Sequence, residues 1–90
     1  MDLEIENNLI VGAKLELSPN SSDRFDEIEL LVLHCISLPE GKYNNNYPTD
    51  LFLNKLDFNI HPSFETLKNL KVSSHLLINR DGSFIQFVPF

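Results

Sequence analysis

Apolar residues in this chain gather into a few short runs, and the spacing within each run says what it can become. Leu9-Ile10-Val11-Gly12-Ala13 fits a first strand, weakened by its glycine. Residues 1–8 before it and 18–27 after it read as loop, the latter because Ser18-Pro19-Asn20-Ser21-Ser22-Asp23 is dense in turn formers. Residues 28–36, Ile-Glu-Leu-Leu-Val-Leu-His-Cys-Ile, are the most apolar stretch. From Leu30 the alternation is lost, since Leu31, Leu33 and Cys35 are apolar on one face and Leu30, Val32 and Ile36 on the other. That pattern predicts a central strand covered on both sides by helices. Pro39 and Gly41 end it, and residues 37–48 form a polar loop carrying Tyr43 and Tyr47.

Two short helices come next. Thr49 fits the cap of a turn or two containing Leu51, Phe52 and Leu56. Pro62 suits a first helical position, after which Phe64, Leu67 and Leu70 share a face at helical spacing. Residues 74–80 and 83–88 are strand-like runs separated by Asp81-Gly82, which predicts a hairpin over 74–88 with a two-residue turn. In that register Ile78 opposes Ile85 and Leu76 opposes Phe87, with His75, Leu77, Phe84 and Val88 on the other face. The last strand runs into Val88-Pro89-Phe90 without a polar tail. So few elements leave sheet faces uncovered and edges unpaired, and the chain reads as the first part of a larger α/β domain.

Composition narrows the function. Ninety residues at 42% apolar content support one small core, and a chain of that length buries only about 60–65% of its unfolded surface. Its stability is therefore marginal without a metal, a partner or more chain. Seven basic against thirteen acidic residues give a net charge of −6, which argues against nucleic acid as a partner. The imbalance lies in residues 1–30, with eight acids and two bases; residues 31–90 hold five of each. A lone cysteine, Cys35, excludes an internal disulfide framework and a Cys-rich zinc site. The N-terminus has no basic stretch leading into an apolar run, and no apolar segment approaches ~18 residues. The expected address is the cytoplasm, away from any membrane.

The candidate chemistry rests on three histidines and one thiol. There is no HExxH, CxxC, EF-hand loop, GxSxG or Gly-rich phosphate loop, and the chain holds only three glycines. His34 sits near the C-terminal end of an apolar strand, where α/β proteins place ligands. A neutral imidazole there is a good zinc donor, although the pattern alone suits a core histidine bonded to backbone better. His61 precedes Pro62 and fits a capping role; His75 opens the hairpin and fits packing or cross-strand bonding. Cys35 has opposite parity to His34, so the two cannot share a metal, and it fits a buried, inert thiol. Lys71 is placed to hold a carboxylate or to be simply solvated. Tyr43 and Tyr47 fit either a sugar- or peptide-binding rim or local packing.

The literal strings say more. Residues 31–41, Leu-Val-Leu-His-Cys-Ile-Ser-Leu-Pro-Glu-Gly, resemble the LLVxHxISLPPG segment of the cytoplasmic 1,6-anhydro-N-acetylmuramoyl-L-alanine amidases, the AmpD type. Leu51-Phe52, Leu56-Asp57 and His61-Pro62-Ser63-Phe64 resemble their LF, LD and HPxF stretch. Residues 71–90, from Lys71-Val72-Ser73-Ser74-His75 to Val88-Pro89-Phe90, are similar to their RVSAHxLIRRDGxIxQYVPF. The matches run in order over residues 9–90.

The resemblance implies a mixed central sheet flanked by helices, as in zinc amidases and peptidoglycan-recognition proteins, incomplete in this chain. It implies hydrolysis of the amide between N-acetylmuramic acid and L-alanine in anhydro-muropeptides during cell-wall recycling, by a protein that is monomeric at full length. It makes His34 a zinc ligand, which reverses the reading from pattern alone. Related amidases often carry a Tyr where this chain has Ser74; the AmpD type lacks it and relies on a Glu after the hairpin. That Glu, a second His, an Asp and a nearby Lys lie beyond the point matching Phe90, so no catalytic residue is expected within the chain. Lys71 stands where the family commonly has Arg and offers a substrate carboxylate a point charge in place of a fork. Glu40, Cys35 and the Asn44-Asn45-Asn46 loop are further departures from the family pattern. The competing expectation is a non-catalytic module that binds muropeptide or a partner.

Overall fold

The structure, a computed structural model, describes residues 3–90. Its elements in order are β1 (Ile5–Glu6), β2 (Leu9–Ile10), β3 (Lys14–Leu15), α1 (Tyr47–Phe52), a 3-10 helix (Pro62–Leu67), β4 (Leu76–Ile78) and β5 (Phe84–Gln86). β3, β5 and β4 form a three-stranded sheet in that order, β3 parallel and β4 antiparallel to β5. The sheet is mixed and flanked by helices, the architecture expected for a partial domain of this class.

Leu51, Phe52 and Leu56 from α1 and its exit, Phe64 from the 3-10 helix, and Ile85 and Phe87 from β5 and its end make the core. Tyr47 meets Phe64 edge-on at 5.4 Å, and Phe52 meets Phe87 likewise at 5.1 Å. Both pairs use the T-shaped geometry that the ring quadrupole favours. Because side chains alternate along a strand, Gln86 points away from Ile85 and Phe87. It is buried nonetheless, because β1 and β2 sit on that side: Gln86 Oε1 accepts from Ile10 N at 2.7 Å and Nε2 donates to Asn8 O at 3.1 Å.

β1 corrects the reading of residues 1–8 as loop, within the part described. Ile5 pairs with Ile10 and Glu6 with Leu9 across Asn7-Asn8, whose φ values are +52° and +65°. A type I′ turn needs positive φ at both central residues, and asparagine tolerates it better than most. Met1 and Asp2 lie outside the described residues. Gly12, at φ +87°, separates β2 from β3, so the apolar run 9–13 divides into two strand ends.

The hairpin is shifted by one residue from the expected register. Leu77 opposes Ile85, Leu76 opposes Gln86 and Ile78 opposes Phe84. Asp-Gly does not make a two-residue turn by itself. Gly82 N donates to Asn79 O, Asn79 N donates to Ser83 O, and Gly82 has φ +87°. The loop is therefore Arg80-Asp81-Gly82, the three-residue form closed by a left-handed glycine. The shift pairs Leu77 with Ile85 on the core side, where the two-residue turn put them on opposite faces.

α1 starts earlier than Thr49, with Asn46 as N-cap and Pro48 in the first turn. Asn45 Oδ1 accepts from Tyr47 N at 3.0 Å and so satisfies one of the first-turn donors. Asn54, at φ +59°, ends the helix in the left-handed conformation common after a last turn.

The largest correction concerns residues 28–36. They form no strand: none of their N–H or C=O groups pairs with another backbone group among the described residues. Leu30, Leu31, Val32 and Leu33 are exposed, and so is Cys35, which is not the buried thiol expected. The pattern of a two-sided strand is present, but the sheet order β3-β5-β4 supplies it no neighbour. Only at Ile36 and Leu38 does the segment return to the core.

Candidate functional site

His34 sits on that unpaired segment and is exposed, so it is not a core histidine. The turn on its C-terminal side is held by three hydrogen bonds. Gly41 N donates to Ser37 Oγ at 2.9 Å, Lys42 N to Pro39 O at 2.8 Å, and Asn45 Nδ2 to Leu38 O at 2.7 Å. The last of these ties the turn to the entrance of α1, whereas residues 28–33 have no such anchor among the described residues.

The other candidates are dispersed. His61 caps the 3-10 helix, its Nδ1 accepting from Ser63 N at 3.1 Å, and its ring leans on Phe64. His75 accepts at its carbonyl from Phe87 N, stacks on Phe90 at 6.1 Å, and has Nε2 3.5 Å from Arg24 Nη2. Among the described residues, no three His, Cys, Asp or Glu side chains gather as metal donors. The residues present therefore do not fit a zinc site by themselves: His34 is one donor, and a hydrolytic zinc centre needs three.

Clefts open on the surface of the described residues, and two of them hold candidate groups. One, of about 230 Å³, lies between Ile36, the loop 42–46 with Pro48 of α1, and the β4 end of the hairpin. Arg80 lays its guanidinium over the Tyr43 ring at 3.7 Å, beside Lys42 and the amides of Asn44, Asn45 and Asn46. A cation held on an aromatic plane amid amides offers a polar ligand both stacking and hydrogen bonds. Tyr43 lines this cleft, whereas Tyr47 packs on the core. Sequence reasoning misses Arg80, because nothing in a turn sequence says across which loop its side chain will lie. The second cleft, of about 290 Å³, is lined by Ser21, Ser22, Arg24, Ser73, Ser74 and His75 with their neighbours. Asn20 holds its mouth by donating to Val72 O at 3.0 Å and to Asn54 Oδ1 at 2.8 Å. Lys71 is exposed and lines neither cleft.

The chain is similar to proteins of known activity over nearly its whole length. The 1,6-anhydro-N-acetylmuramyl-L-alanine amidase AmpD of Escherichia coli K12 is 41% identical over 88 residues, which are 96% of this chain and 48% of that protein. The AmpD of Haemophilus influenzae is 39% identical over 89 residues, 97% of this chain and 48% of the relative. A crystal structure of a selenomethionine AmpD derivative matches with a TM-score of 0.92 at 37% identity, covering 97% of this chain and 50% of that one. The solution structure of Citrobacter freundii AmpD matches with a TM-score of 0.57 at 38% identity, covering 97% and 48%. No family profile matches the chain. The chain is thus similar to AmpD in sequence and in fold, and it spans about half the length of the curated relatives it matches.

Proposed function

We propose that these residues are the N-terminal part of a zinc-dependent amidase. It hydrolyses the amide between 1,6-anhydro-N-acetylmuramic acid and L-alanine in muropeptides released during cell-wall recycling. His34 is one of its metal ligands, and the remaining donors and the catalytic glutamate belong to the other half of the domain. Lys71 holds a carboxylate of the substrate peptide. The enzyme is cytoplasmic and monomeric, as the resemblance to AmpD amidases implies. Among the described residues no helix is long and apolar enough to cross a membrane. The observation that carries the reading is the ordered identity with AmpD amidases across 96% of the chain. With one donor in hand, the 90 residues alone do not turn over substrate.

A chimera tests this. The 90 residues are joined to the part of Escherichia coli AmpD outside the matched region, and zinc content and cleavage of anhydro-muropeptide are measured. One zinc per chain and turnover are expected, with neither in the 90 residues alone. His34→Ala in the chimera should lower turnover by more than the roughly 10–100-fold typical of groups that only support a ligand. Unchanged zinc and turnover in that variant would remove His34 from the metal site.

A further inference from the structure

Of the three glycines in the chain, Gly82 is the one that follows an aspartate or asparagine, and Asp81-Gly82 lies exposed at the tip of the hairpin. Glycine after aspartate leaves the side-chain Cγ open to attack by the next amide nitrogen, because no Cβ shields the approach. The turn holds both reacting groups elsewhere. Gly82 N donates to Asn79 O at 2.9 Å, and the Asp81 carboxylate accepts from Ser83 Oγ at 2.6 Å and from Ser83 N at 2.9 Å. Asn79 supports the same hydroxyl from the other side, its Nδ2 donating to Ser83 Oγ at 3.0 Å. We propose that Asp81 is a site of spontaneous isomerisation to isoaspartate and that Ser83 is the latch that holds it shut. This chemistry belongs to the turn itself and is independent of the amidase reading.

The conversion needs no reactant other than water. Gly82 N bonds to Asp81 Cγ, and the amide proton and the carboxyl hydroxyl leave together as water, which gives a succinimide. Water then adds to either carbonyl of that ring. Addition at Cγ breaks its bond to nitrogen and restores aspartate. Addition at the main-chain carbonyl breaks the other C–N bond, so the chain now runs through the former side chain. Mass is unchanged and the backbone gains a methylene. In the folded turn Gly82 N is committed to Asn79 O and the carboxylate is pinned toward Ser83. The bonds to Ser83, the side-chain one first, also hold the carboxyl below its ordinary value and so keep it ionised, the form that loses hydroxyl least readily. A longer backbone does not fit a loop closed by Gly82 at φ +87°, which sets the pairing of Ile78 with Phe84. Isomerisation therefore opens the hairpin tip and loosens the neighbouring Arg80 from the Tyr43 ring.

The test ages the 90-residue chain at pH 7.5 and follows isoaspartate at residue 81 by peptide mapping and fragmentation mass spectrometry. A synthetic peptide of residues 77–87 serves as the unfolded reference and should isomerise about tenfold faster than the chain, whose turn opens only part of the time. Ser83→Ala should raise the rate in the chain about fivefold, whereas Ser83→Thr, which keeps a hydroxyl, should stay near the parent. Asp81→Glu, whose longer side chain cannot close a five-membered ring, should give no product at this position. Hydrogen exchange at Phe84–Gln86 reports whether each variant keeps its hairpin. If Ser83→Ala has lost it, Asn79→Ala makes the same test by removing the amide that supports the hydroxyl, and a smaller acceleration is expected. The proposal falls if the parent isomerises as fast as the peptide, or if isoaspartate arises only at other residues. It falls too if the serine variant, or the asparagine variant in its place, ages no faster than the parent.

Discussion

Gln86 concentrates more of the fold in one side chain than any residue in the histidine set. Inside β5 it stands where an apolar residue would be expected, yet it is 1% exposed and fully bonded. Its amide accepts from Ile10 N and donates to Asn8 O and Val88 O, tying the N-terminal hairpin to the sheet. Removing a buried partner strands the groups it satisfied, at about 1–3 kcal/mol. Gln86→Leu, which keeps the bulk but not the bonds, should lower unfolding free energy by about that amount in urea titration. Amide exchange at Ile10 should accelerate more than at Phe64. A uniform effect would mean that Gln86 only fills space. The residue-level chemistry is otherwise unevenly legible in the sequence. The role of His61 is readable from Pro62 beside it, because a cap is local, and the structure gives it that role. Gln86 and Arg80 act on residues far away in sequence, and no local pattern reveals such a partner.

At the scale of elements, the sequence carries existence better than register. A hairpin between 74 and 88 is implied by two strand-like runs and Asp81-Gly82, but that dipeptide serves turns of more than one length, and the longer one moves every pair by one place. The reason for the longer loop is visible at Asp81. Its carboxylate accepts from Ser83 Oγ at 2.6 Å and from Ser83 N at 2.9 Å, fixing the turn from within. These bonds, the side-chain one first, hold the Asp81 carboxyl below the usual carboxylate value. A value lowered in the folded state stabilises that state above the ordinary carboxylate range, and the contribution is lost as pH falls through the lowered value. Carboxyl resonances followed by NMR should show Asp81 titrating below 3.8, and Ser83→Ala should bring it back toward that figure. If Ser83→Ala leaves the titration where it was, the turn is held by something else. Residues 28–36 mark the other boundary of what pattern reveals. Their sequence describes a strand with neighbours, but strand pairing belongs to two segments at once, and no second segment pairs with them among the described residues.

The whole molecule is a small aromatic core carrying a sticky segment and a surplus of negative charge. With Phe25 and Ile28 also exposed, the apolar residues of this stretch would make most proteins associate. Repulsion between chains of net charge −6 opposes that association at neutral pH. The opposition is conditional. The isoelectric point is about 4.8, so acidification removes the charge while the leucines stay as apolar as before. Salt acts the same way, since at ~0.15 M screening confines repulsion to about 8 Å. Light scattering from the 90-residue chain should therefore rise as pH is lowered from 7.5 toward 4.8, and rise at a higher pH when salt is added. Leu31→Lys with Leu33→Lys should suppress the rise at a given net charge, because it alters the segment and not merely the total. A control with two lysines at the exposed positions Asn59 and Asn69 matches the charge change elsewhere. If the control protects as well as the leucine variant, association is set by net charge alone and the apolar segment has no part in it. If only the leucine variant protects, the exposed apolar stretch before His34 is the surface that drives association at the isoelectric point.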